Sequence, residues 1–313
     1  MKILITGGAG FIGSNLARYL LEKGQQVTIL DDFSTGKLQN VEEICDQVTI
    51  IRGDIRDYDT VRMAVSQVEA VSHQAALGSV PRSVKDPRTT HDVNVNGTLN
   101  VVEAMRETGV KRIVFAASSS AYGRHQVLPK HEGLPAAPIS PYAASKVTGE
   151  LYMQAYSATY GIEAVCLRYF NVFGPRQDPL GAYAAVIPRF VRALLRGERP
   201  VIYGDGEQSR DFCYVENACE ANWLALQAPG EKCDGLPINI ACGRRTSLNQ
   251  LVAKLQELLN AKIPPEYLPA RAGDVLHSLA DLSRAKQTIG YEPRVQLAEG
   301  LERALPWYSS HLD

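Results

Sequence analysis

The chain has 313 residues, 45% of them hydrophobic and 21% charged, which is enough apolar material for one large core or two modest ones. A formal charge of −1 excludes the global basic field that would draw nucleic acid or an anionic membrane. No apolar run approaches the ~18 residues that span a bilayer. The opening MKILITGG runs straight into a motif without a leader-like apolar region, so a soluble cytoplasmic protein is expected. The cysteines (Cys45, Cys166, Cys213, Cys219, Cys233, Cys242) form no C-x-x-C pair and read as buried, reduced thiols. The histidines have no ligand spacing, so no metal site is expected.

Strand-like and helix-like patterns alternate from the first residue. KILITG reads as a buried strand and FIGSNLARYLLEKG as a helix, with Gly24 where a C-terminal cap belongs. QVTILDD, VTIIRGDI and AVSHQAA read as further strands. A helical pattern from about 88 to 108 precedes the strand RIVFAASSS. In SPYAASKVTGELYMQAYSATYG, Ser140 fits the N-cap, Pro141 the first helical position and Gly161 the stop. AVCLRYFNVFG returns to strand. Continuous apolar strands alternating with helices predict an α/β fold: a Rossmann-type, doubly wound parallel sheet covered on both faces. Past Gly174 the elements shorten and prolines accumulate, predicting a smaller C-terminal substrate-binding lobe. The expected division is 1–175 and 176–313, with some later segments returning to the main sheet.

TGGAGFIG places Gly7, Gly10 and Gly13 between the first strand and the first helix. Gly7 suits a tight turn, Gly10 a close approach of backbone to pyrophosphate, and Gly13 close packing of helix on strand. Asp31 closes the second strand, eighteen residues after Gly13. A carboxylate there accepts hydrogen bonds from ribose hydroxyls and repels a 2′-phosphate, so NAD is expected rather than NADP.

Tyr142 and Lys146 are four residues apart and leave one face of the predicted helix together. A phenol with a pKa near ~10 is a poor base at neutral pH. A neighbouring ammonium stabilises its phenolate, and Ala143, Ala144 and Ser145 leave room for a cofactor alongside. Ser118, Ser119 and Ser120 end the preceding strand, where ligands gather in a parallel sheet.

Together, TGGAGFIG, Asp31–Asp32, HQAA, NVNGT, SSSAYG, YAASK and LRYFNVFGP resemble the extended short-chain dehydrogenase/reductase superfamily. Within it the chain is similar to NAD-dependent nucleotide-sugar 4-epimerases, over nearly its whole length. The resemblance implies that Tyr142 deprotonates the sugar 4-hydroxyl with Ser118 beside it, while NAD takes the hydride from carbon 4. The 4-keto sugar then turns and is reduced on its other face. NAD is regenerated each cycle and can stay bound.

The resemblance further implies cofactor contacts from Gly7, Gly10, Phe11, Ile12, Gly13, Asp31, Asp32, Ser34, Thr35 and Gly36. Asp54, Ile55, Gln74, Ala75, Ala76, Asn94, Tyr142, Lys146 and Tyr169 join them. Substrate contacts are implied for Ser79, Ser118, Ser119, Tyr142, Asn171, Ala185, Val186, Tyr203, Arg210, Arg271, Asp274 and Ser278. Arg210 and Arg271 are suited to a diphosphate. Dehydratases of the superfamily carry Asp-Glu where this chain has Ser119 and Ser120, which disfavours elimination of water. A serine at 278, where a tyrosine restricts relatives to plain hexoses, leaves room for an N-acetyl group. UDP-GlcNAc/UDP-GalNAc interconversion is therefore expected, with UDP-glucose and UDP-galactose as further substrates. A strict UDP-glucose 4-epimerase, a UDP-glucuronate epimerase or decarboxylase, and a non-catalytic NAD-binding sensor remain alternatives. A homodimer through the helices at about 88–108 and 141–160 is the assembly the resemblance implies.

Overall fold

The structure, a computed structural model, describes residues 1–178, 185–270 and 276–311. The expected apolar runs become β1 (Lys2–Thr6), β2 (Gln26–Asp31), β3 (Val48–Arg52), β4 (Ala70–His73), β5 (Arg112–Ser118) and β6 (Glu163–Tyr169). With the strand Asp234–Ile240 they form one seven-stranded sheet, in the order Asp234–Ile240, β6, β5, β4, β1, β2, β3. Every pairing in it is parallel.

The helices up to residue 227 are α1 (Phe11–Glu22), α2 (Tyr58–Val65), α3 (Val80–Lys85), α4 (Pro87–His91), α5 (Gly97–Thr108), α6 (Pro141–Tyr160), α7 (Val186–Leu195) and α8 (Val215–Gln227), and three more follow at Leu248–Leu258, Ser283–Ile289 and Leu297–Ser310. Successive strand residues point to opposite faces, so each strand feeds two cores. Ile3 and Ile5 enter the core beneath α1 and α8, whereas Leu4 enters the one beneath α2, α5 and α6. The doubly wound parallel architecture expected from the sequence is the one observed.

The chain leaves β3 at one edge and crosses back to β4, beside β1. That reversal opens a crevice at the carboxyl ends of β1 and β4, where ligands bind in such sheets. α6 is capped as expected: Ser140 Oγ accepts the Ala143 N–H at 3.1 Å, Pro141 opens the helix, and Gly161 ends it at φ +69°. The helical pattern at 88–108 is interrupted, since α4 and α5 are joined by a π turn at Asp92–Asn96.

Beyond residue 175, short strands pair locally: Val201–Tyr203 with Glu266–Leu268, and Ser209–Arg210 with Thr246–Ser247. Asp234–Ile240 returns to the main sheet beside β6, and α8 packs on α1. All six cysteines are free thiols. Cys45 corrects the expectation of burial, because the tight turn Glu42–Gln47 buries Ile44 and leaves Cys45 exposed. Among the described residues no helix is long and apolar enough to cross a membrane, and no group of three or more His, Cys, Asp or Glu could hold a metal ion.

Candidate active site

β1 gives way to a turn at Gly7, whose φ of +67° lies in the left-handed region. A Cβ there would sit 2.7 Å from the backbone N and Cα of Ala75, and one at Gly13 would sit 2.2 Å from the Gly7 carbonyl oxygen. The two glycines let β1, the start of α1 and the segment after β4 converge. Gly10 is the N-cap of α1 and offers no side-chain cap, so the first-turn N–H groups of Phe11, Ile12 and Gly13 are left for an anion.

Asp31, at the end of β2, is buried. Its carboxylate accepts the Ala9 N–H at 2.9 Å and the Phe33 N–H at 2.8 Å. Burial raises its pKa above the ordinary value, and these two N–H groups oppose the rise. Asp32 is exposed and accepts from the N–H and hydroxyl of Ser34. Both aspartates line one cleft with Ser34, Thr35, Gly36, Asp54, Ile55 and Gln74–Ala76. Within it, Asp54 is already paired with Arg56 at 2.6 Å.

Two buried networks hold the floor of this cleft. His73 Nδ1 accepts the Thr6 hydroxyl at 2.6 Å, and its Nε2 donates to Thr98 Oγ1 at 2.9 Å. The direction follows from Thr98, whose own proton goes to the Asn94 carbonyl. Burial, with the Lys146 charge adding to it, lowers the His73 pKa to about 3, so the ring is neutral. In the second network Asn222 Nδ2 donates to the Tyr169 hydroxyl at 2.7 Å, and Tyr169 donates to Gln74 Oε1 at 3.3 Å. The Tyr169 hydroxyl, implied as a cofactor contact, is thus committed to orienting Gln74. Asn94, on the π turn, accepts the Leu77 N–H at 2.8 Å and donates to Ser145 Oγ at 3.0 Å. It ties the loop after β4 to α6.

Tyr142 and Lys146 project from α6 at the carboxyl end of β5. Burial raises the Tyr142 pKa, and hydrogen bonding to Ser118 pulls it back. Ser118 Oγ accepts the Ser120 N–H at 3.2 Å and the Ser120 hydroxyl at 2.9 Å, which leaves its own proton for Tyr142 or a ligand. Lys146 Nζ donates to the Ala116 carbonyl at 2.8 Å and lies 5.0 Å from the Phe115 ring centroid. Its burial lowers the pKa to about 8, with Glu150 acting in the opposite direction.

A second cleft lies beyond β6. Asn171, Ala185, Val186, Tyr203 and Arg210 line it, together with Arg189, Gln208 and Phe212. Arg210 donates to the carbonyls of Ser209 at 3.0 Å and Leu276 at 3.1 Å. Asp211, fully buried, accepts the N–H groups of Cys242 at 2.9 Å, Gly243 at 3.1 Å and Ala280 at 3.1 Å. Burial outweighs these bonds and raises its pKa to about 6. Ser278 is 9% exposed, and its N–H is bound to the Ser209 carbonyl at 3.0 Å. Ser79 caps α3 by accepting the Arg82 N–H at 3.2 Å, and Ser119 opens the turn after β5. Arg271 and Asp274 lie outside the described residues.

A model of the NAD dependent epimerase/dehydratase family matches residues 3–241. The chain belongs to this family. A UDP-glucose 4-epimerase of Mycolicibacterium smegmatis is 39% identical over 312 residues, covering 98% of each chain. Among solved structures, the Thermotoga maritima UDP-glucose 4-epimerase with UDP-glucose is similar at 38% identity, with a TM-score of 0.93 and 100% of both chains covered. The Methanobrevibacter ruminantium UDP-N-acetylglucosamine 4-epimerase in complex with UDP-N-acetylmuramic acid is similar at 40% identity and a TM-score of 0.93, covering 99% of this chain and 98% of that one.

NAD is the cofactor of this epimerase/dehydratase family member, and the first cleft fits it. The uncapped N–H groups of α1, the near-contact of Gly13 with Gly7 and the acidic pair Asp31–Asp32 are what a pyrophosphate and an adenosine ribose require. Sequence reasoning missed Asn222, His73, Asp211, Glu150 and Arg168. Only His73, in HQAA, and Arg168, as an arginine inside the apolar run AVCLRYF, carried a local signal.

Proposed function

We propose that the protein is an NAD-dependent UDP-sugar 4-epimerase that interconverts UDP-GlcNAc and UDP-GalNAc, with UDP-glucose and UDP-galactose as further substrates. The observation that carries the reading is the grouping of Tyr142, Lys146 and Ser118 at the carboxyl end of β5. Gln74, from the first cleft, follows β4 on one side, and Asn171, from the second, follows β6 on the other.

Bound NAD supplies a hydride acceptor and donor at carbon 4. Tyr142 takes the proton of the 4-hydroxyl and later returns it, with Ser118 donating a hydrogen bond to the reacting oxygen. The Lys146 ammonium favours the phenolate form of Tyr142. The second cleft takes the nucleotide end, where Arg210 and Arg189 complement phosphate charge and Tyr203 offers its ring. In this proposal residues 1–175 carry the cofactor and the chemistry, and 176–313 mainly hold the substrate. The choice of an N-acetylated sugar is supported by serine at 278 and by the likeness to an N-acetylglucosamine epimerase. The dehydratase alternative is disfavoured by Ser119 and Ser120, which lack the acidic pair that step needs.

A proton NMR time course with UDP-GlcNAc and, separately, UDP-glucose, without added NAD, tests the reading. Appearance of UDP-GalNAc supports it. Conversion of UDP-glucose alone retains the chemistry and removes the N-acetyl assignment.

A further inference from the structure

Behind Lys146, the face of α6 that carries Tyr142 and Lys146 continues to Glu150, one further turn along. Glu150 and Arg168 of β6 are only 2% and 4% exposed. They form a two-pronged ion pair, with Arg168 Nε on Glu150 Oε1 at 2.8 Å and Nη2 on Oε2 at 2.7 Å. The remaining Nη1 has no hydrogen-bond partner. The guanidinium carbon lies 4.7 Å from the ring centroid of Tyr122, whose hydroxyl donates to Asn239 Oδ1 at 2.7 Å. Arg168 stands in register with Ala117, the neighbour of both Ser118 and the Ala116 carbonyl that Lys146 touches.

Stability gives a weak account of such a pair, because apolar residues of similar volume often serve a buried position equally well or better. Location gives a stronger one. We propose that the Glu150–Arg168 pair is a positioning device that seats α6 on the sheet and, through its balanced charges, sets the protonation of Lys146 beside Tyr142. The inference rests on the reading of Tyr142 as the base and Lys146 as its partner.

The groups facing Lys146 leave Glu150 as its counter-charge. From α6 these are Tyr142 and Glu150. From β5 they are the Phe115 ring and the Ala116 carbonyl, and from β4 the neutral His73. From β6, Arg168 and the Cys166 thiol reach the site by way of Glu150. Burial draws Lys146 down to about 8, and Glu150 opposes that descent. Arg168 keeps the carboxylate from acting on Lys146 as an isolated negative charge.

The device predicts shifts of opposite sign. Glu150→Gln leaves Arg168 uncompensated, so the Lys146 midpoint moves to lower pH, by about one unit. Arg168→Met leaves Glu150 uncompensated and moves it to higher pH. The double variant Glu150→Gln/Arg168→Met returns it toward wild type, and Arg168→Lys, which keeps the charge, leaves it near wild type.

The measurement is a pH titration of 13C-lysine-labelled protein by NMR, with the Lys146 signal assigned through Lys146→Arg, alongside the pH profile of UDP-GlcNAc turnover. Opposite displacement of the Lys146 midpoint in the two single variants supports the device. If one single variant does not fold, the other decides together with the double variant: a Lys146 midpoint displaced in the single variant and returned toward wild type in the double supports the device, and a midpoint unchanged in the single variant overturns it. Equal midpoints in folded single variants, with activity merely reduced, would overturn it in favour of a purely structural pair. The titration needs no substrate, so absent turnover of any UDP-hexose would count against the proposed function and leave the titration result standing.

Discussion

Replacing Gly7 by alanine separates two costs that the glycine turn combines. Alanine at a φ of +67° carries a left-handed penalty of about 1–2 kcal/mol. Its methyl group would also stand 2.7 Å from backbone N and Cα atoms of Ala75, which cannot rotate away as a side-chain tip could. Forced contacts of this kind cost a further ~1–3 kcal/mol, so Gly7→Ala should lose about 2–5 kcal/mol in total. Gly24, just past α1, is the internal control: its φ is +70° and nothing lies within 4 Å of its would-be Cβ. Gly24→Ala should therefore lose only the left-handed penalty, ~1–2 kcal/mol. Urea denaturation of cofactor-stripped protein, followed by far-UV circular dichroism, measures both. Gly7→Ala should also weaken NAD binding, because Ala75 lines the cofactor cleft. Equal destabilisation of the two variants, with equal NAD affinity, would refute the argument that the turn is needed for close approach and not only for its dihedral angle.

Tyr142→Phe should lower epimerase turnover by about 10²–10⁴-fold while NAD affinity stays within a few-fold; turnover within tenfold of wild type would remove Tyr142 as the base. Ser278→Tyr should cut UDP-GlcNAc turnover by about a hundredfold and spare UDP-glucose. Equal losses for the two sugars would show that Ser278 is not the wall beside the 2-substituent. Asp211, raised from 3.8 to about 6, is protonated in the folded state over a range where the unfolded chain is ionised. Its contribution to stability is therefore present in full below pH ~4, falls by about 3 kcal/mol as pH rises to ~6, and is flat above. Urea midpoints of wild type and Asp211→Asn across that range should differ by such a step, and parallel curves would contradict it.

What was legible in the sequence was what neighbouring residues decide. Ser140–Pro141 and Gly161 bracket α6 because capping is settled within one turn, and TGGAGFIG announces its turn because glycines at that spacing have few other uses. The parallel sheet was legible in continuous apolar runs alternating with helices, whereas its strand order and the crevice at β1 and β4 depend on pairings between distant stretches of chain. The π turn was hidden, since the pattern from 88 to 108 reads as helix either way, and only Asn94 with its partners Leu77 and Ser145 gives that turn a purpose. Asn222 sits in the alanine-rich stretch NACEANWLAL and acquires meaning from Gln74, 148 residues earlier. Glu150 carried no sign of burial, because a glutamate on a helix is ordinarily solvated, and the oddity of Arg168 in an apolar run did not name its partner eighteen residues away. The lobe beyond residue 175 was the least legible part, as its short strands pair across long separations.

The Asp211 carboxylate joins three stretches of chain that the sequence keeps far apart: its own loop, the turn at 242–243 and the strand-like segment at 280. Arg210 and Ser278 flank that junction, so the wall of the proposed substrate site behaves as one graft and not as three exchangeable loops. An attempt to change sugar preference by importing 205–215 from a relative would need to carry 240–245 and 276–281 with it. A shorter transplant would leave a charged group facing backbone that no longer fits it, and the chimera would fail before its specificity could be read.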